Sequence, residues 1–294
     1  LVNLALDAFP KPVYVRKGIL HNPYVVPELR QKGAVFVETL DEVPEGRTVV
    51  FSAHGVAPEV WKEARARKLN VIDATCPLVT KVHMEALRYA RAGFTIILIG
   101  HKGHDEVIGT MGEAPDHILL VSSVQEVEEI EVPNPEKVAY LTQTTLSLED
   151  TREIIQALRA RFPAVQGPPS EDICYATQNR QMAVRQLAEK AELILVVGAA
   201  NSSNSNRLVE EAQKAGAVSY LINDVHSIRT EWLQQVETVG LTSGASAPEV
   251  LVDQVLDYFR GQGAEIETLV TRTENVQFSL PPEVRDERLT GSSN

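Results

Sequence analysis

Short apolar runs recur along the chain, and segments in which apolar residues recur every three or four positions separate them. The short runs suit buried strands, and the periodic segments suit helices packed on one face. The predicted strands are 13–17, 34–37, 48–51, 95–100, 118–121, 138–141, 193–198, 218–222 and 239–241. Residues 1–9, 23–32 and 205–215 have helical spacing. Alternation of strand, polar loop, helix and strand predicts βαβ units with parallel sheets.

An internal repeat organises this pattern. From Cys76 to Gly100 is 24 positions, and from Cys174 to Gly198 is also 24, with no gap between them. Each cysteine precedes a predicted helix, and each glycine ends a predicted strand and opens a polar loop. Two positions of the polar loops match in this register, namely His104 with Ser202 and Glu106 with Asn204.

An incomplete third copy lies at the start of the chain. Strands 13–17, 34–37 and 48–51 form it, and His21 occupies its polar loop. Its end is repeated as well, because 57–60 and 247–250 share the sequence Ala-Pro-Glu-Val. If His21 matches His104, the cysteine of this copy belongs 7 or 8 residues before Leu1. We therefore expect an upstream extension of about 15 to 25 residues, the length of a strand and a loop.

The repeats predict an α/β fold, a trefoil of three pseudo-threefold-related units with parallel sheets around a central site. The predicted boundaries are 1–75 for the first unit, 76–168 for the second, 169–262 for the third and 263–294 for a C-terminal tail. One doubly wound sheet with coincidental similarity is the alternative, and the ungapped spacing favours the repeat. In parallel sheets ligands bind beyond the carboxyl ends of the strands, where the polar loops lie.

Composition narrows the function. The 294 residues are 44% hydrophobic and carry a net charge of −12, so a broad surface for nucleic acid or an anionic membrane is not expected. No apolar run approaches the roughly 20 residues of a membrane span. The chain has two cysteines and no CxxC, which argues against a disulfide framework. No signal peptide is visible, and the cytoplasm is the expected location.

The two cysteines stand at equivalent places, each directly before a predicted helix. Orphan N–H groups and the helix dipole stabilise a thiolate there, which predicts a lowered pKa for Cys76 and Cys174. Three such thiolates converging on an axis would suit a metal. Zinc would want a fourth ligand or a water, whereas a cubane iron–sulfur cluster would leave one iron open as a Lewis acid. A pair of buried, inert thiols is the alternative.

Polar side chains fall at the predicted strand ends and could form a diphosphate cradle. Histidines, hydroxyls and amides beside helix N-termini bind phosphate with the help of backbone N–H groups. The candidates are His21, His54, His104, Thr144, Ser202, Ser203, Asn204 and Ser246. For the serines, Thr144 and Asn204, helix capping is the competing interpretation. Glu106 is the candidate proton donor, because burial beside a metal site raises a carboxyl pKa; a solvated loop acid is the alternative.

Seven motifs between residues 13 and 282 resemble the hydroxymethylbutenyl diphosphate reductase family, the last enzyme of the non-mevalonate isoprenoid pathway. They are Ser52-Ala-His-Gly, Asp73-Ala-Thr-Cys-Pro-Leu-Val-Thr-Lys-Val-His, Gly100-His-Lys-Gly-His-Asp-Glu, Thr142-Gln-Thr-Thr, Asp172-Ile-Cys-Tyr-Ala-Thr, Asn201-Ser-Ser-Asn-Ser-Asn-Arg and Gly244-Ala-Ser-Ala-Pro. The family's first cysteine, in a Gly-Phe-Cys-Ala-Gly motif, has no counterpart in these residues, in agreement with the position that the repeat predicts.

The resemblance implies an oxidoreductase that reductively dehydroxylates 4-hydroxy-3-methylbut-2-enyl diphosphate to isopentenyl and dimethylallyl diphosphate. It implies a trefoil around one 4Fe-4S cluster, with Cys76 and Cys174 as ligands and the substrate hydroxyl on the open iron. Glu106 would be the proton donor and Thr144 its relay. The substrate contacts would be His21, His54, His104, Thr144, Ser202, Ser203, Asn204 and Ser246.

The partners implied are the diphosphate substrate and an electron donor such as ferredoxin or flavodoxin, for a monomer or weak dimer. Two alternatives stand beside this interpretation. One is another three-cysteine trefoil dehydratase similar to quinolinate synthase, against which the Ser-Ala-His-Gly motif and the Ser/Asn loop argue. The other is a non-catalytic diphosphate-binding protein, against which retention of both cysteines and Glu106 argues.

Overall fold

Three separate parallel sheets make up the framework of the chain. A computed structural model describes residues 1–18, 25–272, 276 and 278–285. The first sheet has the order β2-β1-β3-β4 and contains β1 Val13–Arg16, β2 Ala34–Val37, β3 Thr48–Phe51 and β4 Asn70–Asp73. Around it lie α1 Val2–Ala8, α2 Val25–Lys32 and α3 Pro58–Ala66.

Strand β4 was not among the predicted strands. It is four residues long and begins and ends with a polar residue, and only its third residue, Ile72, is buried. It pairs with the fully buried strand β3, from Thr48 opposite Asn70 to Phe51 opposite Asp73. Backbone pairing with a buried neighbour, and not an apolar pattern of its own, makes this segment a strand.

The second sheet has the order β6-β5-β7. Its strands are β5 Thr95–Ile99, β6 Ile118–Val121 and β7 Val138–Thr142. The helices of this unit are α4 Pro77–Arg91, α5 Asp105–Glu113, α6 Val124–Glu129 and α7 Leu148–Arg161. Ile96, Ile97, Leu98 and Ile99 of the central strand are all at most 1% exposed, which is why β5 forms a continuous apolar run.

The third sheet has the order β10-β8-β9. Its strands are β8 Leu193–Val197, β9 Val218–Ile222 and β10 Val239–Ser243. The helices are α8 Tyr175–Ala188, α9 Ser203–Lys214 and α10 Glu249–Gly261. Short 3-10 helices occupy Leu40–Glu42, Val225–Ser227, Thr230–Leu233 and Pro282–Val284.

In every sheet the first strand in the sequence lies between the second and the third. The three sheets are parallel throughout, so the predicted α/β class with three parallel-sheet units is confirmed. The 3-10 helix Pro282–Val284 packs against the first unit, where Val284 is 4% exposed and joins the core of Val2 and Leu6. None of the helices in the described ranges is long and apolar enough to cross a membrane.

Candidate active site

The two cysteines occupy matching positions in the fold. Cys76 is the N-cap of α4, and Cys174 is the N-cap of α8. The backbone N–H of Cys76 donates to the carbonyl of Ala53 at 3.0 Å, in the loop after β3. The N–H of Cys174 donates to the carbonyl of Thr144 at 2.9 Å, in the loop after β7. The backbone of each cysteine is therefore held by the loop that follows the third strand of the preceding unit. Both thiols are free and half-buried.

The thiol of Cys76 departs from the predicted electrostatics. Burial raises its pKa, and hydrogen bonds from the backbone of Leu78 and Val79 offset only part of that rise. The expectation of a lowered pKa was wrong for this residue, because the desolvation of the thiolate outweighs the stabilisation by the helix terminus. The negative charges of Cys174 and Glu106 raise the Cys76 pKa further, which places these three side chains in one neighbourhood.

Glu106 lies in the first turn of α5 and is 2% exposed. Its carboxylate accepts the backbone N–H of Thr144 at 2.7 Å and the Thr144 hydroxyl at 3.0 Å. Burial raises the pKa of Glu106 to about 7, against the lowering effect of the two Thr144 bonds, and the nearby Asp172 charge adds to the rise. The predicted raised pKa is confirmed, and the carboxyl can both hold and release a proton near neutral pH.

Two histidines from different units are in contact at the N-terminus of α5. His104 is the N-cap of α5, and its Nδ1 accepts the backbone N–H of Glu106 at 3.2 Å. The ring of His54, in the loop after β3, lies edge-on to the His104 ring with 5.4 Å between the centroids. Imidazoles in this position can donate to an anion bound over the α5 terminus. His21, the third predicted histidine, lies outside the described residues.

The equivalent loop of the third unit carries hydroxyls and an amide. Ser202 caps α9 by accepting the N–H of Ser205 at 3.3 Å, as His104 caps α5. Ser203 Oγ accepts the Thr145 hydroxyl at 3.1 Å, which joins this loop to the second unit. Asn204 is 6% exposed, and neither its Oδ1 nor its Nδ2 has a hydrogen-bond partner within the described parts of the chain. A buried amide without partners is costly unless a ligand completes its hydrogen bonds.

Ser246 is placed differently from the other candidates. It follows β10 in the loop after the third strand of the third unit, and its side chain is exposed. The loop is nevertheless close to α9, because a Cβ on Gly244 would stand 2.1 Å from Ser205 Oγ and 3.6 Å from Asn204 Nδ2. The structure thus places Ser246 at the rim of the polar region and Asn204 inside it.

Sequence reasoning assigned no role to two residues that tie the cysteine-bearing helices together. The ammonium of Lys81, on α4, lies 3.0 Å from Oδ1 of the buried Asp172. The other Asp172 oxygen accepts the backbone N–H of Thr142 at 3.0 Å. Burial raises the Asp172 pKa, and the Lys81 ammonium works against that rise. The available signal was positional, since Lys81 follows Cys76 by five residues and Asp172 precedes Cys174 by two.

A second contact between units involves Lys17 and Asp105. Lys17 follows β1 and forms an ion pair with Asp105 in the first turn of α5, directly beside His104 and Glu106. The two side chains are 26% and 22% exposed. This pair joins the end of β1 to the polar loop of the second unit. Neither charge was a predicted site residue.

The donor set fits a thiolate-ligated metal group only in part. Within the described ranges, no group of three or more His, Cys, Asp or Glu side chains is arranged to hold a metal ion. The free thiols of Cys76 and Cys174 can supply two soft ligands. Thiolates are the typical ligands of iron–sulfur centres. Zinc would require more donors than these two.

The family model and the similar proteins that match this chain agree with one another. Residues 1–260 match the family model described as "LytB protein". The 4-hydroxy-3-methylbut-2-enyl diphosphate reductase of Streptomyces coelicolor is 56% identical over 286 residues, which is 97% of this chain and 85% of that protein. The 4-hydroxy-3-methylbut-2-enyl diphosphate reductase 2 of Bradyrhizobium diazoefficiens is 58% identical over 285 residues, 97% of this chain and 92% of that protein.

A solved structure agrees in fold as well as in sequence. The E-1-hydroxy-2-methyl-but-2-enyl-4-diphosphate reductase from Plasmodium falciparum superposes with a TM-score of 0.93 at 39% identity. The match covers 96% of this chain and 90% of that one. The three sheets and their connections are therefore shared with a reductase of known structure.

Proposed function

The chain belongs to the LytB protein family, and from that premise we propose that it reductively dehydroxylates 4-hydroxy-3-methylbut-2-enyl diphosphate. The products are isopentenyl diphosphate and dimethylallyl diphosphate. One observation carries the proposal: a buried glutamate, whose pKa burial raises to about 7, lies close enough to Cys76 for its charge to raise the Cys76 pKa, as does that of Cys174. That combination joins a proton source to a thiolate site.

The stoichiometry defines what the protein must supply. The allylic C–O bond breaks, and the substrate takes up two electrons and two protons. This gives isopentenyl or dimethylallyl diphosphate and one water. Loss of hydroxide from carbon is slow at neutral pH, so one proton must reach the leaving oxygen. Glu106, which is 2% exposed, holds that proton, and Thr144 orients the carboxyl through two hydrogen bonds. The second proton ends on carbon.

The polar loops suit the diphosphate. His104 and Ser202 cap the helices α5 and α9, so each polar loop lies at a helix N-terminus, where backbone N–H groups can donate to an anion. His21, His54, His104, Thr144, Ser202, Ser203, Asn204 and Ser246 are the proposed contacts. Asn204 provides the most specific support, because its buried amide has no partner among the described residues and a phosphate oxygen or water would complete its bonds.

We assign the electron chemistry to a 4Fe-4S cluster held by Cys76, Cys174 and the third cysteine that the repeat predicts. When bound, such a cluster supplies single electrons and one iron without a thiolate, which acts as a Lewis acid. A small one-electron carrier such as ferredoxin or flavodoxin would recharge it. We further propose unit boundaries at 1–75, 76–168 and 169–262, a C-terminal tail at 263–294, and a monomer or weak dimer in the cytoplasm.

The test uses protein expressed from its complete natural gene and purified without oxygen. We expect about four irons and about four sulfides per chain, as a cubane cluster requires. With a reduced one-electron donor, the protein should convert 4-hydroxy-3-methylbut-2-enyl diphosphate to both products, measured by chromatography. Stoichiometric zinc without sulfide would overturn the cluster assignment. Substrate binding without turnover by cluster-loaded protein would favour a non-catalytic diphosphate-binding protein instead.

A further inference from the structure

Lys81 uses all of its hydrogen-bonding capacity on one segment of the third unit. Its ammonium donates to the carbonyl of Ser170 at 2.7 Å, to the carbonyl of Glu171 at 3.1 Å and to Asp172 Oδ1 at 3.0 Å. An ammonium has three N–H donors, so every donor is used on three consecutive residues. Lys81 lies on α4, one turn beyond its N-cap Cys76, and the segment leads directly into Cys174.

Asp172 completes the connection on the other side. Its side chain is 0% exposed, and the second carboxylate oxygen accepts the backbone N–H of Thr142 at the end of β7. Two residues further along this loop, the carbonyl of Thr144 accepts the N–H of Cys174. One buried carboxylate therefore joins helix α4, strand β7 and the turn before α8. Cys76 begins α4, and Cys174 follows the turn.

The contact is not a product of the repeat. The acid before the other cysteine is Asp73, and its Oδ1 accepts the backbone N–H and the hydroxyl of Thr75 at 3.0 and 2.5 Å. That arrangement is local to three residues. On α8 the position equivalent to Lys81 is Asn179, because α4 and α8 begin at 77 and 175, 98 residues apart. Among the described residues, the Lys81–Asp172 pair therefore lies at the junction between Cys76 and Cys174 and is not repeated as a Lys–Asp pair at Asp73 or at position 179.

We propose that Lys81 and Asp172 are positioning residues that set the separation and orientation of the Cys76 and Cys174 thiols. The inference rests on the proposed function, because converging thiols matter for a shared ligand. An ion pair on a buried carboxylate is weak evidence for stability in itself. It specifies one geometry strongly, however, because the Asp172 carboxylate is 0% exposed and would lose its counter-charge if Lys81 moved away. Without the pair, α4 and the turn before α8 are free to separate, and the thiols no longer meet in one geometry.

The test measures thiol geometry in the reduced 294-residue chain, which has only these two cysteines, after treatment with a chelator. Dibromobimane becomes fluorescent when both of its bromomethyl groups have been displaced by thiolates, so fluorescence reports a Cys76–Cys174 bridge. We expect rapid bridging in the wild type and about a tenfold slower rate in Lys81→Met and Asp172→Asn, as a fall in the effective molarity of the second thiol. Lys81→Arg, which keeps the charge and several donors, should restore part of the rate.

Controls separate geometry from reactivity and from folding. Monobromobimane labelling, followed by mass spectrometry, should give unchanged single-thiol rates for Cys76 and Cys174 in every variant. Lys214→Met removes another Lys–Asp pair between the second and third units, with Asp150, and should bridge at the wild-type rate. All rates are compared at a temperature where circular dichroism shows wild-type secondary structure. If Lys81→Met unfolds there, Asp172→Asn and Lys81→Arg carry the comparison.

The outcomes distinguish the two proposals. Wild-type bridging that Lys81→Met and Asp172→Asn leave unchanged would overturn the positioning role and leave the proposed function intact. Failure of the wild type itself to bridge, with both thiols reactive toward monobromobimane, would show that the cysteines do not converge. That result would remove the basis of both the positioning role and the proposed cluster.

Discussion

The second and third units have the same order and spacing of helices and strands but carry different side chains at matching positions. Helices α4 and α8 begin at 77 and 175, strands β5 and β8 at 95 and 193, and helices α5 and α9 at 105 and 203. Every difference is 98 residues. Across that identical register, a glutamate at 106 in one unit corresponds to an asparagine at 204 in the other.

The two side chains differ in what completes them. The Glu106 carboxylate is satisfied by Thr144 of its own unit, at 2.7 and 3.0 Å. The Asn204 amide is also buried, and no hydrogen-bond partner for it lies in the described part of the chain. The shared backbone fixes where each side chain lies, and the neighbouring residues determine what that side chain can do. A carboxyl that is held by protein hydrogen bonds suits proton delivery, and an amide without partners among the described residues suits ligand binding.

The largest expected effect comes from Glu106→Gln. Glutamine keeps the size and can still accept from Thr144, but it cannot deliver a proton. We expect cluster absorbance and substrate binding to persist while turnover falls by a factor of about 10² to 10⁴, the usual contribution of general acid catalysis. The measurement is kcat with a reduced one-electron donor under argon.

Glu113→Gln is the matched control for this substitution. Glu113 lies on the same helix α5 and pairs with His83 at 2.9 Å, away from Thr144. Its replacement should leave kcat close to the wild-type value. Near-normal turnover in Glu106→Gln would instead remove the carboxyl from the mechanism and make it a structural acid.

Asn204→Ala should have the next largest effect, on binding and not on kcat. Loss of hydrogen bonds from a buried amide to a charged ligand costs about 1.5–3 kcal/mol, which corresponds to a KM roughly 10- to 100-fold higher. The thermal midpoint without substrate should not fall, because the amide has no hydrogen-bond partner to lose among the described residues. Asn201→Ala, an exposed residue of the same loop, is the control and should leave KM unchanged. A lowered midpoint with normal KM would make Asn204 structural.

Much of the fold was available from the sequence because the repeat has no gap between the cysteine and the polar loop. The spacing that matched His104 with Ser202 places both as helix N-caps in the structure. The apolar runs of β5 and β8 were equally clear, since both strands are buried along most of their length. Local periodicity and repeat register together define the three parallel units.

The features that the sequence did not predict depend on contacts between segments that are distant in the chain. Lys81 and Asp172 are 91 residues apart, and neither has a local pattern that announces an ion pair. The raised pKa of Cys76 likewise depends on how deeply the folded chain buries the thiol, whereas the sequence shows only the helix terminus. Strand β4 owes its pairing to β3. Each case is tertiary context overriding a local signal.

A smaller effect should separate the two glycines that end the central strands. A Cβ on Gly198 would stand 2.3 Å from Ser205 Oγ, and one on Gly100 would stand 2.7 Å from Val107 Cγ2. Overpacking of this kind costs about 1–3 kcal/mol, so both alanine variants should lower the free energy of unfolding in urea. Gly198→Ala should cost more, because Ser205 Cβ is also only 2.6 Å away.

The partner side chains test this explanation. In Gly100→Ala, a second change Val107→Ala should recover part of the loss, which a double-mutant cycle would show as favourable coupling. Gly261→Ala is the control, because a Cβ at that position in α10 meets nothing within 4 Å. It should leave stability unchanged or slightly raised. Absence of coupling between Gly100 and Val107 would mean that the strand end relaxes without strain.

The smallest expected effect concerns Ser202, for which we propose two roles. The two roles predict different results when Ser202→Ala is compared with Ser202→Gly. As the N-cap of α9 it accepts the N–H of Ser205, and loss of such a cap to alanine costs about 1 kcal/mol, whereas glycine costs only a few tenths. As a diphosphate contact its hydroxyl is absent from both variants. Stability measured in urea should therefore fall more in Ser202→Ala than in Ser202→Gly, while KM should rise equally in the two. If KM instead follows stability from one variant to the other, Ser202 acts on the substrate only through the order of the α9 terminus, and the third unit binds the diphosphate through its backbone and Asn204.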